Sequence, residues 1–125
     1  MHWRKSASLL CYFQSWGGEL AIAEIQAGAC GFITVVKATA IDKRTVELSI
    51  ESACPHVQKL AESLKVVDAY KELSCRQGAT AIIAAGLQHC THAACPVPCG
   101  IVKAVEVAAG LAVASDVAIH ITKEG

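Results

Sequence analysis

Apolar residues alternate with polar ones through the first half of the chain beyond Leu20, then give way to spacings of three and four. Ala21-Ile-Ala-Glu-Ile-Gln-Ala27 reads as a strand, Gly28-Ala-Cys-Gly31 as a tight turn, and Phe32 to Ile41 as a β-branched second strand. After Asp42-Lys-Arg44 the alternation is clean: Val46, Leu48 and Ile50 face a core, and Glu47, Ser49 and Glu51 face water. Short turns between consecutive strands predict an antiparallel meander with one covered face.

Ser52-Ala-Cys-Pro55 then opens a helix whose stripe is Val57, Leu60, Ala61 and Leu64. The same spacing carries it through Val67 and Tyr70 to about Leu73, with a break near Lys65. Ala79 to His89 follows as a second, very apolar helix; Gly86 weakens it, and a strand over Thr80 to Ala84 is the alternative. Pro98 to Ala109 is a third helix, with Ile101, Ala104, Val105 and Ala108 inward and Gly110 ending it. Val117, Ile119 and Ile121 alternate with Ala118, His120 and Thr122 in a last strand. The predicted class is α+β, in the order β-β-β-α-α-α-β, an antiparallel sheet covered on one face by helices. Residues 1–19 fit neither period and are expected to be a poorly ordered appendage, Cys11 included, to a single domain over 20–125.

Composition narrows the function classes. Hydrophobic residues make up 54% and charged ones 18%, which argues against disorder and points to a second buried surface such as a homo-oligomer contact. The 11 acidic and 11 basic residues cancel without a basic run, so no nucleic acid partner is expected. No apolar stretch approaches the roughly 20 residues of a membrane span, so no membrane partner is expected either. The first 16 residues start basic but have a short apolar centre and no convincing cleavage site, which argues against a secretory signal. A reducing cytoplasm is the implied compartment. There, 7 cysteines, an odd number, point to metal or redox work more than to structural bridges.

Topology sharpens that expectation. If the first strand rises, its turn at Cys30 lies at the top. The third strand ends there too, at Cys54. The first helix descends and leaves Cys75 below; the second returns to deliver Cys90, with Cys95 and Cys99 next. Strands and helices of these lengths both span roughly 20–30 Å, so their ends match in height. Cys54-Pro55 and Cys95-Pro96 each set a thiol before a proline that begins a helix, where free N–H groups and the helix dipole favour an anion. A thiolate is the form that binds metals or attacks sulfur.

Four converging thiolates suit an iron–sulfur cluster, or zinc as the alternative; free thiols serving only as small buried apolar residues, with no cofactor, stand against both. The expected ligands are Cys30, Cys54, Cys90 and Cys95, with Cys99 as substitute for Cys90. His89 and His92 are candidates to hydrogen-bond the sulfurs, or are simply histidines at a helix end. His56 and His120 are assigned no role, and Lys103 with Glu106 reads as a solvated pair. No glycine-rich phosphate loop and no defensible Ser-His-Asp order is present.

The segment Cys95-Pro-Val-Pro98, followed by a helix and a strand, resembles the active segment of the small sulfur-carrier proteins of the sulfurtransferase family. That resemblance implies that Cys95 carries a persulfide and passes it to a protein partner. It covers residues 95–121, about a quarter of the chain. More broadly, Ala27-Gly-Ala-Cys-Gly-Phe32, His92-Ala-Ala-Cys-Pro-Val-Pro98 and Lys103-Ala-Val-Glu-Val-Ala-Ala-Gly-Leu111 resemble a family of small uncharacterised Cys-rich proteins, often from anaerobes, over residues 21–121. It implies no activity. The expectation is therefore a cysteine-ligated metal centre, iron–sulfur before zinc, for electron transfer, redox sensing or cluster carriage with a redox partner. A sulfur carrier using Cys95 is the second expectation, and a non-catalytic interaction subunit the third.

Overall fold

Thr34, Val36, Ala38 and Ala40 occupy alternate positions of one strand, β2 (Ile33–Ala40), and all are buried. This strand lies inside a four-stranded antiparallel meander with β1 (Leu20–Gln26), β3 (Thr45–Ser52) and β4 (Val66–Asp68), ordered in space as in sequence. The computed structural model describes residues 19–125. The inferred appendage and Cys11 fall almost wholly outside them.

Register follows the period of two. Ala23 stands opposite Val36, Val36 opposite Ile50, and Val46 opposite Val67, so one face is apolar across the sheet. Three helices cover that face: α1 (Pro55–Ser63), α2 (Ala81–His89) and α3 (Val97–Ala108). α3 lies across β1 and β2, α1 packs on β3, and α2 packs against both helices. The small side chains of Ala38 and Ala40 leave room for a helix to lie close. Ile101 and Val105 of α3 are fully buried, each contributing about 1.5–3 kcal/mol by leaving water. The four inward residues expected on α3 are all buried, as are Val57, Leu60 and Leu64 along α1.

The α+β class therefore forms as expected, but the order is β-β-β-α-β-α-α. Two elements differ from the sequence reading. The first helix does not run on to Leu73. It ends at Ser63, Leu64 turns out with φ −126°, and the Lys65 carbonyl accepts the Leu48 N–H at 2.8 Å. Val66 and Val67 are β-branched and pair with the free edge of β3, where they satisfy backbone groups a helix would have left against the sheet. A short 3-10 turn over Ala69–Glu72 follows. Arg44 fixes this corner: its guanidinium donates to the Asp68 carboxylate at 3.0 and 3.1 Å and lies 4.7 Å over the Tyr70 ring. Those hydrogen bonds hold the Asp68 carboxyl below its ordinary range.

The second difference is the last strand. Val117, Ile119 and Ile121 join no sheet, and residues 113–125 adopt no regular element. α3 itself ends as expected, with Gly110 N–H bonding Val107 O and Leu111 N–H bonding Glu106 O. α2 is a helix rather than a strand, capped by Thr80, whose hydroxyl accepts the Ile83 N–H at 3.3 Å. A buried carboxylate, Glu72, accepts the Ile82 N–H at 3.0 Å and ties the 3-10 turn to that same helix start.

A candidate thiolate site

β1 and β2 are joined by a four-residue turn in which the Gly31 N–H bonds the Gly28 carbonyl at 2.9 Å. Gly31 has φ +77°, a left-handed conformation that side chains rarely adopt, and this sets Cys30 at the end of the sheet. β3 ends at the same pole. There the Ser52 Oγ accepts hydrogen bonds from the buried Thr34 hydroxyl at 2.9 Å and from the Cys54 N–H at 3.1 Å. Gln58 closes over this corner, donating its side-chain amide to the Ser52 carbonyl at 2.8 Å and its backbone N–H to the Cys54 carbonyl at 3.0 Å. Cys54 therefore precedes Pro55 at the start of α1 with its backbone fixed on both sides, while its thiol caps nothing.

α2 brings Cys90 up to this pole, its N–H bonded to the Gly86 carbonyl. The chain then turns, the Cys95 N–H bonding the His92 carbonyl at 3.1 Å, before α3 begins. Gly86 decides how closely these two helices approach: a methyl group there would sit 2.5 Å from Pro98 Cγ.

The result is a cavity of about 580 Å³ bordered by Cys30, Cys54, Cys90 and Cys95. Phe32, Val57 and Val97 supply apolar wall, and His56 and His92 are the other ionisable neighbours among the described residues. Cys54, Cys90 and Cys95 are half-buried and Cys30 is exposed; the six described cysteines are all free thiols. Burial, and then the nearby Cys95 and Cys54, push the Cys90 thiol up to about 11; a hydrogen bond with Cys95 adds to this. Cys90 thus resists ionising without a cation to balance it.

The four cysteines named from sequence as ligands are those around the cavity. Cys99 is exposed on α3 and does not border it, and Cys75 lies in the connector after the 3-10 turn. His92 borders the space and His89 does not. His56, given no role from sequence, faces it from the first turn of α1. Its position after a helix-opening proline at the cysteine pole was the available signal. Thr34 and Ser52 could not be singled out, because their partnership depends on the β2–β3 register.

Chemically, the site offers thiols and imidazoles and no carboxylate, a donor set that selects soft or borderline metals over magnesium or calcium. As they stand, no three His, Cys, Asp or Glu side chains among the described residues are close enough together to hold a metal ion. The thiols border a space; they do not yet meet at a point.

Residues 21–121 match the family of unknown function DUF6951, and the chain belongs to that family. No curated protein and no solved structure matches it. The match agrees with the resemblance to small uncharacterised proteins; nothing in it extends to the sulfur carriers. No helix among the described residues is long and apolar enough to cross a membrane.

Proposed function

Because the family carries no assigned activity, the function has to be read from the site, and we propose that the cavity is a thiolate-ligated metal centre. Cys54, Cys90 and Cys95 would be its ligands and Cys30 would close it, holding an iron–sulfur cluster in preference to zinc. One observation carries this: three separate segments of the sequence deliver four thiols to one apolar cavity lined by no carboxylate. The starts of α1 and α3 at the same pole offset the negative charge of a thiolate cluster. The role would be electron transfer, redox sensing or cluster carriage. Purification without oxygen, followed by absorption spectra and iron, sulfide and zinc analysis, tests this. A coloured protein with bound iron and sulfide is expected; a folded protein that stays colourless and metal-free after reconstitution overturns it.

A second reading rests on the Cys90–Cys95 contact. With the Cys90 thiol raised, Cys90 keeps its proton while Cys95 attacks. In that sulfur-transfer role the Cys95 thiolate takes the outer sulfur of a donor persulfide, R–S–SH, forming Cys95–S–SH and releasing R–S⁻. Stopped-flow alkylation distinguishes it: one fast thiol, lost in Cys95→Ser, supports transfer, and uniform slow labelling counts against it.

A further inference from the structure

The chain holds a strand-like alternation without a sheet and a sheet edge without a strand. In an extended segment from Val113 to Ile121, Val113, Val117, Ile119 and Ile121 fall on one face, with the small Ser115 among them. The other face carries Ala114, Asp116, Ala118 and His120, small or polar side chains of the kind that a strand buried on one face turns outward. Yet Val113 is 85% exposed, Ile119 77% and Ile121 87%. Beyond Leu111 the backbone donates no hydrogen bond to any described residue. Four β-branched apolar side chains left in water on one short segment mark a contact surface.

The matching unpaired edge is β1. It is the outer strand of the sheet, and no described strand pairs with its far side. Exposed edges are normally blunted by lysine, proline, a bulge or shortness. β4 at the other edge has only 3 residues, whereas β1 has 7, with one charged side chain and no proline. Leu20 and Ile22 lie exposed on its outer face, and Ile25 is only partly covered on its inner face. A strand laid beside β1 would bury the flank of α3, where Val102 and Val107 are only partly covered.

We propose that residues 112–122 of one copy add as a fifth strand to the β1 edge of a second copy, in a reciprocal exchange that makes a two-fold dimer. The lengths agree: nine residues from Val113 to Ile121 extend about 30 Å, enough to cover β1 along its whole length. The partner is the chain itself because both halves of the missing pair are present in it. The cysteine cavity lies at the Cys30 end of the sheet and takes no residue from this tail.

The test is light scattering coupled to gel filtration on the full chain, beside a version ending at Leu111 and the double variant Val117→Asp/Ile119→Asp. The full chain should run at twice the 13.1 kDa chain mass. The truncated chain should run as a monomer with unchanged secondary structure by circular dichroism, since no residue beyond Leu111 is buried in the core. The aspartates should weaken the dimer at least about tenfold, because they put charges where apolar contact forms. Hydrogen exchange should show residues 113–121 and the edge-facing amides of Leu20, Ile22, Glu24 and Gln26 protected in the dimer, and those β1 amides open in the truncated chain while the ones bonded to β2 stay protected. A monomeric full chain overturns the proposal, whether its tail amides are open or protected by its own β1 edge. So does a dimer that survives removal of the tail.

Discussion

Cys54 is held by partners that the linear sequence does not announce. Its N–H reaches Ser52, Ser52 is in turn bonded by Thr34, and Gln58 grips the carbonyls on either side. The thiol itself is left without a capping role. Replacing it with serine therefore removes a soft-metal ligand while leaving the helix start intact. In the proposed centre, Cys54→Ser should lose bound metal and lower the unfolding midpoint of the loaded protein, whereas Cys75→Ser should do neither. Compared metal-free, the parent and Cys54→Ser should differ by under about 1 kcal/mol, the scale of a modest cap change. Metal content and thermal unfolding under anaerobic conditions check both; unchanged metal in Cys54→Ser removes that residue from the site. Cys90 makes a second prediction, for pH. Its thiol is raised from 9.0 to about 11 by burial and by Cys95 and Cys54. Below pH 9 both folded and unfolded states keep the proton. Above it the unfolded chain releases the proton while the folded one retains it, so the metal-free protein loses stability as pH climbs from about 9 to 11. Since Cys90 is only half-buried, the loss should be about 1 kcal/mol, well under the full value of such a shift. Urea midpoints of the parent should fall across that window and those of Cys90→Ala much less. At this scale the sequence displayed the thiols, whose identity needs no context. It hid Thr34, Ser52 and His56, whose meaning comes from which strand and helix they meet.

Among the elements, those specified by their own periodicity and punctuation were legible, and those specified by a partner were not. α3 carries a clean stripe, prolines at its start and Gly110 at its end, and it forms as the pattern predicts. The stretch from Leu64 to Leu73 also fits a helical spacing at Val67 and Tyr70. The waiting edge of β3 overrides that local preference, because unpaired backbone groups against a sheet cost more than a weak helix gains. Gly86 shows the same dependence in reverse. Inside α2 it looks like a defect, about 1 kcal/mol worse than alanine in an isolated helix. Here it is the place where α2 rests on Pro98 of α3, and an added methyl would stand 2.5 Å from the proline ring. Gly86→Ala should therefore destabilise the domain, by about 1–3 kcal/mol of overpacking, instead of stabilising it. Because the two helices also carry Cys90 and Cys95, the same change should reduce metal uptake. Urea unfolding beside a metal titration checks this; a variant as stable as the parent would mean that the helices are free to move apart.

For the whole molecule, the pole at which the cysteines gather follows from strand and helix alternation alone. β1 and β3 rise to it, α1 leaves it, α2 returns, and Cys75 stays at the other end. The destination of the last alternating segment was not legible, because alternation specifies a strand's faces but not which sheet, or which copy, receives it. The cysteine pole also bears on overall stability. Its ligands come from the β1–β2 turn, the β3–α1 junction and the α2–α3 connection, so a bound centre would tie together segments far apart in sequence. The unfolded chain does not hold those thiols together, and metal binding therefore adds to folding free energy. At a free concentration about 100 times the dissociation constant the addition is about 2.7 kcal/mol. For a domain of this size that raises the midpoint by about 10–20 °C. Stripping the protein with a chelator should lower the midpoint by that amount, and reloading should restore it. Hydrogen exchange should locate the change: amides of the turn at 27–32 and of the connection at 90–96 should slow on loading. The cavity at the opposite pole, bordered by Tyr70, Arg76 and Thr80, should be unaffected. Equal midpoints with and without metal would mean that the four thiols share a cavity but not a ligand. The Cys90–Cys95 contact, with Cys95 as the attacking thiol, would then be the chemistry to pursue.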